Sequence, residues 1–364
     1  MPTGALYRRA MTIPAITTAS LTTSIMSNKR LRTMQSIRSL SSTLFIDCPE
    51  TKFRDSKSCI LLLPTRPHDI TMVPASTIRE FVRLKSIVSM NGRLLSRDKA
   101  KLSVFDNSLL YAEGLFETLL AVDDHLVFES YHLKRLQAGA QAIGLKLPVS
   151  MKTISTWTRR TAARHPDRIK KVRLTVSSGE SARWTGKQGK PQVIVAAASH
   201  VIPERPFRLL ISPLRVDQDS SLRRIKTISY VLQAAALKQA VERGFDDALL
   251  LNEKNQIAEV TSANLFWVKR GRIFTPPLSA GCLEGVTRAV LLKQASRLGL
   301  MAEERDITLD RIASADEVFV SSSLKLVLAV AEISDGHRQL RFKPGPVTAA
   351  LRRQFFVLAG AKER

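Results

Sequence analysis

Lys226 stands in Ile225-Lys226-Thr227-Ile228-Ser229-Tyr230, directly ahead of an apolar stretch with helical spacing. Further along come Glu259-Val260-Thr261-Ser262-Ala263-Asn264-Leu265-Phe266, then Thr275-Pro276-Pro277, then Gly285-Val286-Thr287-Arg288. An amine can add to a carbonyl and later carry a proton. A carboxylate can keep a proton on a ring nitrogen. Backbone N–H groups at a helix start can hold an anion, with a glycine that admits close approach and a threonine hydroxyl beside it. Each piece alone has a plainer reading. A lysine before a helix is usually a solvated charge, a Gly-Val-Thr-Arg string is usually a capped helix, and a lone Glu259 would be a surface strand residue. The ordered set carries more than its parts.

Together these are the parts that a pyridoxal 5'-phosphate site needs. Lys226 can form the Schiff base, Glu259 can keep the pyridine nitrogen protonated, and Gly285-Val286-Thr287 can cradle the phosphate. Ser323 adds a candidate hydroxyl and Arg135 a candidate guanidinium. A lysine beside a cationic cofactor has a depressed pKa, which suits it to act as nucleophile and then as proton shuttle. Arg135 shares a helix face with His132, three residues earlier, although composition alone would make it a surface charge. Arg183 and Trp184 lie midway along a Gly-, Ser- and Lys-rich stretch between two strands. That loop could reach over a pocket or be a solvated hairpin tip.

The elements that must position these residues follow from periodicity. Met90-Asn91-Gly92-Arg93-Leu94-Leu95 predicts strand, turn, strand. Leu102–Asp106 alternates as a half-buried strand. A strand from about Phe116, a turn at Asp123-Asp124 and a return through Leu126-Val127-Phe128 come next. The helix from about Tyr131 carries Leu133, Leu136, Ala140 and Ile143, and Gly144 ends it. Lys171–Val176 and Pro191–Ala196 read as adjacent strands. Val201–Pro206 reads as a linker. Phe207–Ser212 is a strand closed by Pro213, and the helix after Lys226 carries a stripe of Tyr230, Ala234, Leu237 and Val241 ended by Gly244. Ala248–Leu251 is a buried strand, with a return strand starting at Gln256–Glu259. Leu265–Val268 and Arg272–Phe274 form a hairpin about Arg270-Gly271. A helix opens at Thr287 with Leu291, Ala295 and Leu298 inward, and Glu317–Val320 is the last clear strand.

The chain has 364 residues, 44% of them apolar, enough for roughly two domains with real cores. No apolar run reaches the ~18 residues of a membrane span. Cys48, Cys59 and Cys282 show no metal spacing, and their odd number argues against a disulfide framework, so a reducing compartment fits and no metal is expected. Net charge is +24, divided as +8 over residues 1–89 and +16 over the rest. That basicity permits nucleic-acid binding, yet no basic–aromatic stacking module accompanies it. Residues 1–46 hold no Asp or Glu, six Arg or Lys, and many Ser and Thr, the composition of an organelle transit peptide. Residues 47–89 show little periodicity and promise no packed core, only disorder or loose helix. The expected organisation is a basic leader over 1–89 (a transit peptide or a mis-assigned start, with Met90 as the alternative), an N-terminal α/β domain over 90–203 and a larger domain over 207–364. The expected location is the cytoplasm, or a mitochondrion or plastid if the leader is a transit peptide.

Over residues 90–335 the chain resembles the class IV, fold-type IV pyridoxal-phosphate enzymes. These include branched-chain aminotransferases, D-amino-acid aminotransferases and 4-amino-4-deoxychorismate lyase. The resemblance rests on Tyr111-x-Glu113-Gly114-x-Phe116-Glu117-Thr118, His132-x-x-Arg135-Leu136, Lys226-Thr227-x-x-Tyr230, Glu259-x-Thr261-x-x-Asn264-x-Phe266, Thr275-Pro276 and Gly285-Val286-Thr287-Arg288. It implies an α/β fold in two domains, a smaller N-terminal and a larger C-terminal one, with the cofactor between them, in a homodimer whose partner helps to close the pocket. It implies Lys226 as the Schiff-base lysine, Glu259 at the pyridine nitrogen, Arg135, Val286, Thr287 and Ser323 at the phosphate, and Tyr230 near the cofactor. Phe116 and Arg183 are candidate substrate residues. Three departures bear on substrate. Ala329-Val330 stands where relatives show a proline before a valine. Arg183-Trp184-Thr185 offers the arginine of an Arg-x-His trap without the histidine. Val172-Arg173-Leu174-Thr175 replaces an Ile-Arg-Pro string. The expected activity is amino transfer between an amino acid and a 2-oxo acid. The alternative is the lyase, which releases pyruvate and 4-aminobenzoate. A catalytically silent basic scaffold and an RNA-binding protein are the rivals of another class.

Overall fold

The computed structural model describes residues 60–66, 69–74, 86–181 and 189–363. The chain divides into two compact units, residues 1–79 and 80–364. In the first, β1 (Ile60–Arg66) and β2 (Asp69–Pro74) pair antiparallel, from Ile60 opposite Pro74 to Arg66 opposite Asp69. This hairpin corrects the expectation of disorder or loose helix there. The transit-peptide composition read over residues 1–46 of the expected leader lies outside the described residues.

The second unit is a mixed α/β structure with two sheets. Its first sheet is antiparallel, ordered β4-β3-β8-β7-β5-β6, where β3 is Ser86–Met90, β4 Arg93–Leu95, β5 Gly114–Val122, β6 His125–Leu126, β7 Ile169–Ser177 and β8 Gln192–Ser199. The turn between β3 and β4 has Asn91 and Gly92 at φ 48° and 76°, the left-handed pair that a two-residue hairpin demands. β3 begins upstream of the boundary expected at residue 90. Along β7 every second residue, Val172, Leu174 and Val176, is fully buried, and Lys171 and Arg173 therefore point to the opposite face. The buried face packs under α2 (Glu129–Ala142) and α3 (Met151–Ala163) through Leu119, Leu136, Ile154 and Val195.

The strand expected over Leu102–Asp106 does not form. Val104 and Phe105 are exposed, and Asp106 instead caps the short α1 (Asn107–Leu110) by accepting from Ser108 N at 2.8 Å. With no sheet neighbour beyond the single bridge to Glu180, the alternation has nothing to pair with.

The second sheet runs β11-β10-β9-β16-β15-β12-β13-β14, with β17 also on β16. Its strands are β9 (Phe207–Val216), β10 (Asp247–Asn252), β11 (Ile257–Val260), β12 (Asn264–Lys269), β13 (Arg272–Thr275), β14 (Ala302–Glu304), β15 (Glu317–Ser322), β16 (Leu326–Ser334) and β17 (Gln339–Arg341). Central β9 lies parallel to both β10 and β16, so the sheet is mixed. β9 does not stop at Pro213. Its register against β10 shifts between Ile211 and Arg215, and the proline sits in that irregularity, where the ladder needs no donor. Glu317–Val320 is not the last strand either, since β16 and β17 follow, then α6 (Pro346–Ala359).

The helix after Lys226, α4 (Val231–Glu242), buries Gln233, Ala236 and Ala240. The stripe expected through Ala234 and Val241 is turned to solvent, because small alanines pack closely where branched residues would not fit. In α5 (Val286–Arg297) Leu291 and Ala295 are inward as expected, but Leu298 caps the helix and is exposed. One core cluster joins the two sheets. Leu120 and Val122 of β5 pack with Phe266, Phe319, Leu291 and Phe355. The first sheet thereby holds its far face, with Lys171 and Arg173, over a cleft at the start of β12 and the end of β15.

Candidate active site

That cleft is a cavity of ≈ 430 Å³. Of the sequence-predicted site residues, Phe116, Arg135, Lys226, Tyr230, Glu259, Val286, Thr287 and Ser323 all line it. Arg183 lies outside the described residues.

Lys226 reaches the cavity because β5 holds its peptide. Phe116 N donates to Lys226 O at 3.0 Å, Ile228 N donates to Gly114 O at 3.0 Å, and Thr227 bridges Leu115. The lysine thus sits on an extended segment hydrogen-bonded to the first sheet, ahead of a helix of the second. Its Nζ lies 4.3 Å from the Phe116 ring centroid and 5.4 Å from that of Tyr230. Burial first, then repulsion from Arg135, brings its pKa down to about 8. Tyr230 turns its edge to Phe116 with the centroids 5.4 Å apart, and its hydroxyl donates to Thr261 O at 2.6 Å. Burial pushes that phenol up, so it stays protonated.

Glu259 is buried, not a surface strand residue. Its Oε1 accepts from Arg223 Nη2 at 2.5 Å and its Oε2 from Leu283 N at 2.9 Å. Burial raises its pKa, while Arg223, the Leu283 amide and Lys226 act against that rise. Sequence reasoning missed Arg223. It stands three residues before Lys226, in a run of basic residues that reads as solvated.

At the other end, Gly285 precedes α5 with no side-chain cap, so the first amides of the helix, Val286 and Thr287 among them, lack intrahelical partners. A Cβ on Gly285 would stand 1.9 Å from Asn264 Oδ1, which explains the glycine. Asn264 Nδ2 in turn donates to Leu283 O at 2.8 Å, fixing the loop ahead of the helix. Thr287 Oγ1 and Ser321 Oγ are buried with no hydrogen-bond partner. Two hydroxyls left without partners beside open helix amides fit a phosphate, whose oxygens only accept. The cavity therefore suits pyridoxal phosphate at both ends, a carboxylate beside an amine at one and donors for an anion at the other.

Arg135 was expected at the phosphate. Its Nε and Nη2 donate to the two oxygens of Glu117 at 2.8 and 2.6 Å, and its Nη1 to Glu284 O at 2.8 Å. Burial pushes the Glu117 carboxyl up, but Arg135 and His132 outweigh it and hold it at about 2. His132 Nδ1 lies 2.6 Å from Glu117 Oε2, and its Nε2 lies 3.1 Å from Ser323 Oγ. The sequence placed His132 beside Arg135 but offered nothing about Glu117 as the link between them.

Lys171, Arg173 and Lys325 also line the cavity. Arg173 stacks over Phe116, with 3.9 Å from Cζ to the centroid. Lys325 donates to Ser262 Oγ at 2.7 Å, and its nearest carboxylate oxygen, on Asp247, is 3.8 Å away. Among the described residues, no group of three or more His, Cys, Asp or Glu could hold a metal ion, and no helix is long and apolar enough to cross a membrane.

The family model for amino-transferase class IV matches residues 114–333. A putative branched-chain-amino-acid aminotransferase of Methanocaldococcus jannaschii is 30% identical, over 74% of this chain and 94% of that protein. An aminodeoxychorismate lyase of Vibrio harveyi is 28% identical, over 68% and 92%. Among solved structures, the branched-chain aminotransferase of the archaeon Thermoproteus uzoniensis with norvaline superposes with a TM-score of 0.70 at 26% identity, covering 76% of this chain and 96% of that one. The T.th. branched-chain amino acid aminotransferase complexed with N-(5'-phosphopyridoxyl)-L-glutamate superposes with a TM-score of 0.69 at 26% identity, covering 76% and 95%.

Proposed function

This chain belongs to the amino-transferase class IV family, and on that premise we propose that it moves an amino group from an amino acid to a 2-oxo acid, with Lys226 as the residue that bonds pyridoxal 5'-phosphate. The observation that carries the reading is a half-buried amine with its pKa lowered to about 8, Lys226, in one cavity with the Glu259 carboxylate and the open α5 N-terminus. When bound, the coenzyme supplies an aldehyde for amines and a protonated ring that withdraws electrons. Glu259, oriented by Arg223 and the Leu283 amide, holds the proton at the ring nitrogen. The Val286 and Thr287 amides and the Thr287 hydroxyl hold the phosphate, with Ser323 beside them. Arg135 closes that end through Glu117.

With the coenzyme in place, Lys226 Nζ would be the base that takes the proton from the substrate's α-carbon and the acid that gives it back. A pKa of about 8 suits both halves of that task near neutral pH. The Phe116 and Tyr230 rings flank Nζ and exclude water from it. Lys171, Arg173 and Lys325 receive the carboxylates of the amino and oxo acids. The functional form is a homodimer of this chain, with the exposed apolar side chains of Phe105 and Leu109 at its interface.

A second reading has its own support. The lyase relative is nearly as similar as the aminotransferases, and three cations facing the substrate space suit a dianionic ring such as aminodeoxychorismate. Purified protein incubated with aminodeoxychorismate, and separately with amino acids plus 2-oxoglutarate, decides between them. Transfer of nitrogen to 2-oxoglutarate is the expected result. Formation of 4-aminobenzoate and pyruvate alone would overturn the aminotransferase reading in favour of the lyase. A Lys226→Ala variant with unchanged activity would defeat both.

A further inference from the structure

Arg135, Glu117, His132 and Ser323 form one hydrogen-bonded chain from α2 through β5 to the turn between β15 and β16. Its protons can be placed. Glu117 stays ionised and only accepts, so His132 Nδ1, at 2.6 Å from it, carries a hydrogen. Complete burial, with repulsion from Arg135 and Lys226, outweighs the pull of Glu117 and keeps the imidazole neutral. Nε2 is then a bare lone pair, and Ser323 donates its single hydroxyl hydrogen to it across 3.1 Å. The hydroxyl turns its own lone pairs to the cavity. A phosphate dianion offers lone pairs too. As it stands, Ser323 opposes the anion it was expected to bind.

Resting on the coenzyme reading above, we infer that His132 is a positioning residue for the phosphate site: arrival of the anion draws one proton from solvent onto His132 Nε2, which then donates to Ser323 Oγ and frees the Ser323 hydroxyl hydrogen for the anion. No other bond changes. The charged groups facing the imidazole are Glu117 from β5, Arg135 from its own helix and Lys226 from the segment ahead of α4. The first favours the imidazolium and the other two oppose it. The dianion tips that balance. Affinity for the anion is therefore linked to pH. It is greatest while His132 can take up the proton, and it falls as pH rises through the imidazole's value in the bound state.

The test uses full-length protein freed of coenzyme and titrated with pyridoxamine 5'-phosphate, which has the phosphate and the ring but no aldehyde for Lys226. Inorganic phosphate is titrated in parallel. Calorimetry in buffers of different ionisation heat counts the protons taken up. Ser323→Ala, which leaves His132 and Lys226 in place, is the comparison that removes the ligand's own titration. The expected result is an uptake in the native chain that exceeds the variant's by close to one proton, with Kd rising about tenfold more steeply per pH unit. In His132→Gln an amide donor replaces Nε2, and the extra pH dependence should vanish with affinity retained. Equal uptake in the native and Ser323→Ala proteins, or a folded His132→Gln protein with the native pH dependence, overturns the inference. Ser323-dependent uptake with phosphate but no binding of pyridoxamine phosphate would keep the inference and sink the coenzyme reading. Binding of neither ligand sinks both.

Discussion

Lys226 is held where an ammonium is poorly solvated, a cost that the proposed role as nucleophile and base would turn to use. Its pKa of about 8, against 10.5 in water, means the folded state binds the proton less tightly than the unfolded state. The penalty, on the order of 3 kcal/mol, is complete below pH 8 and fades as pH rises towards the unfolded value. Lys226→Met in coenzyme-free protein is therefore expected to melt higher than the native chain at pH 7, with the gap closing above pH 8 in a calorimetric series. The same variant should lose transfer activity altogether. Labelling of Lys226 by borohydride after exposure to a simple aldehyde should rise with a midpoint near pH 8, and a midpoint near that of free lysine would contradict the burial argument. Thr287 makes the opposite case. Its buried hydroxyl has no partner, so Thr287→Val should leave the melting temperature unchanged or raise it. Coenzyme affinity should fall about tenfold, as loss of a hydrogen bond to a charged group predicts, and fluorescence titration measures it.

At the level of elements, the site is a set of joints. Glu117 ties β5 to α2 through Arg135 and His132, and it is ionised in a fully buried place. Glu117→Gln leaves Arg135 without its counter-charge and should destabilise the protein by about 3–5 kcal/mol, seen in urea unfolding. In the native chain the carboxyl's folded pKa is depressed, so its contribution is present above pH 4.5 and lost as pH falls through about 2. How much of this was legible in the sequence depended on whether the signal was local. Lys171–Val176 and Pro191–Ala196 were legible as neighbouring strands, β7 and β8, and Asn91-Gly92 named the hairpin of β3 and β4. Glycine, threonine and helix start marked the α5 cradle. The Leu102–Asp106 alternation misled because a strand needs a neighbour, and no local pattern supplies one. The α4 stripe misled because alanines carry little hydrophobic contrast. Arg223, Glu117 and Lys325 escaped as functional residues because their partners lie far along the chain, so only the tertiary fold brings out their roles.

For the whole molecule, Val104, Phe105, Leu109 and Leu110 are exposed apolar side chains in the segment just ahead of β5, the strand that grips Lys226. If two copies meet there, Phe105→Asp with Leu109→Asp should yield a monomer in sedimentation at micromolar concentration, with weakened coenzyme retention. A net charge of +24 shared along the chain also invites a direct check on the rival reading. Retention on nucleic acid that persists after removal of residues 1–89 and weakens with salt would support RNA binding.

The walls of the cavity come from stretches as distant as Phe116 and Lys325, with the shared core of both sheets between them. No fragment of the chain, newly made or partly melted, owns a home for the vitamin-derived ligand. Loading therefore reports that assembly is finished, and a cell short of the vitamin would accumulate a less heat-resistant population of the same polypeptide.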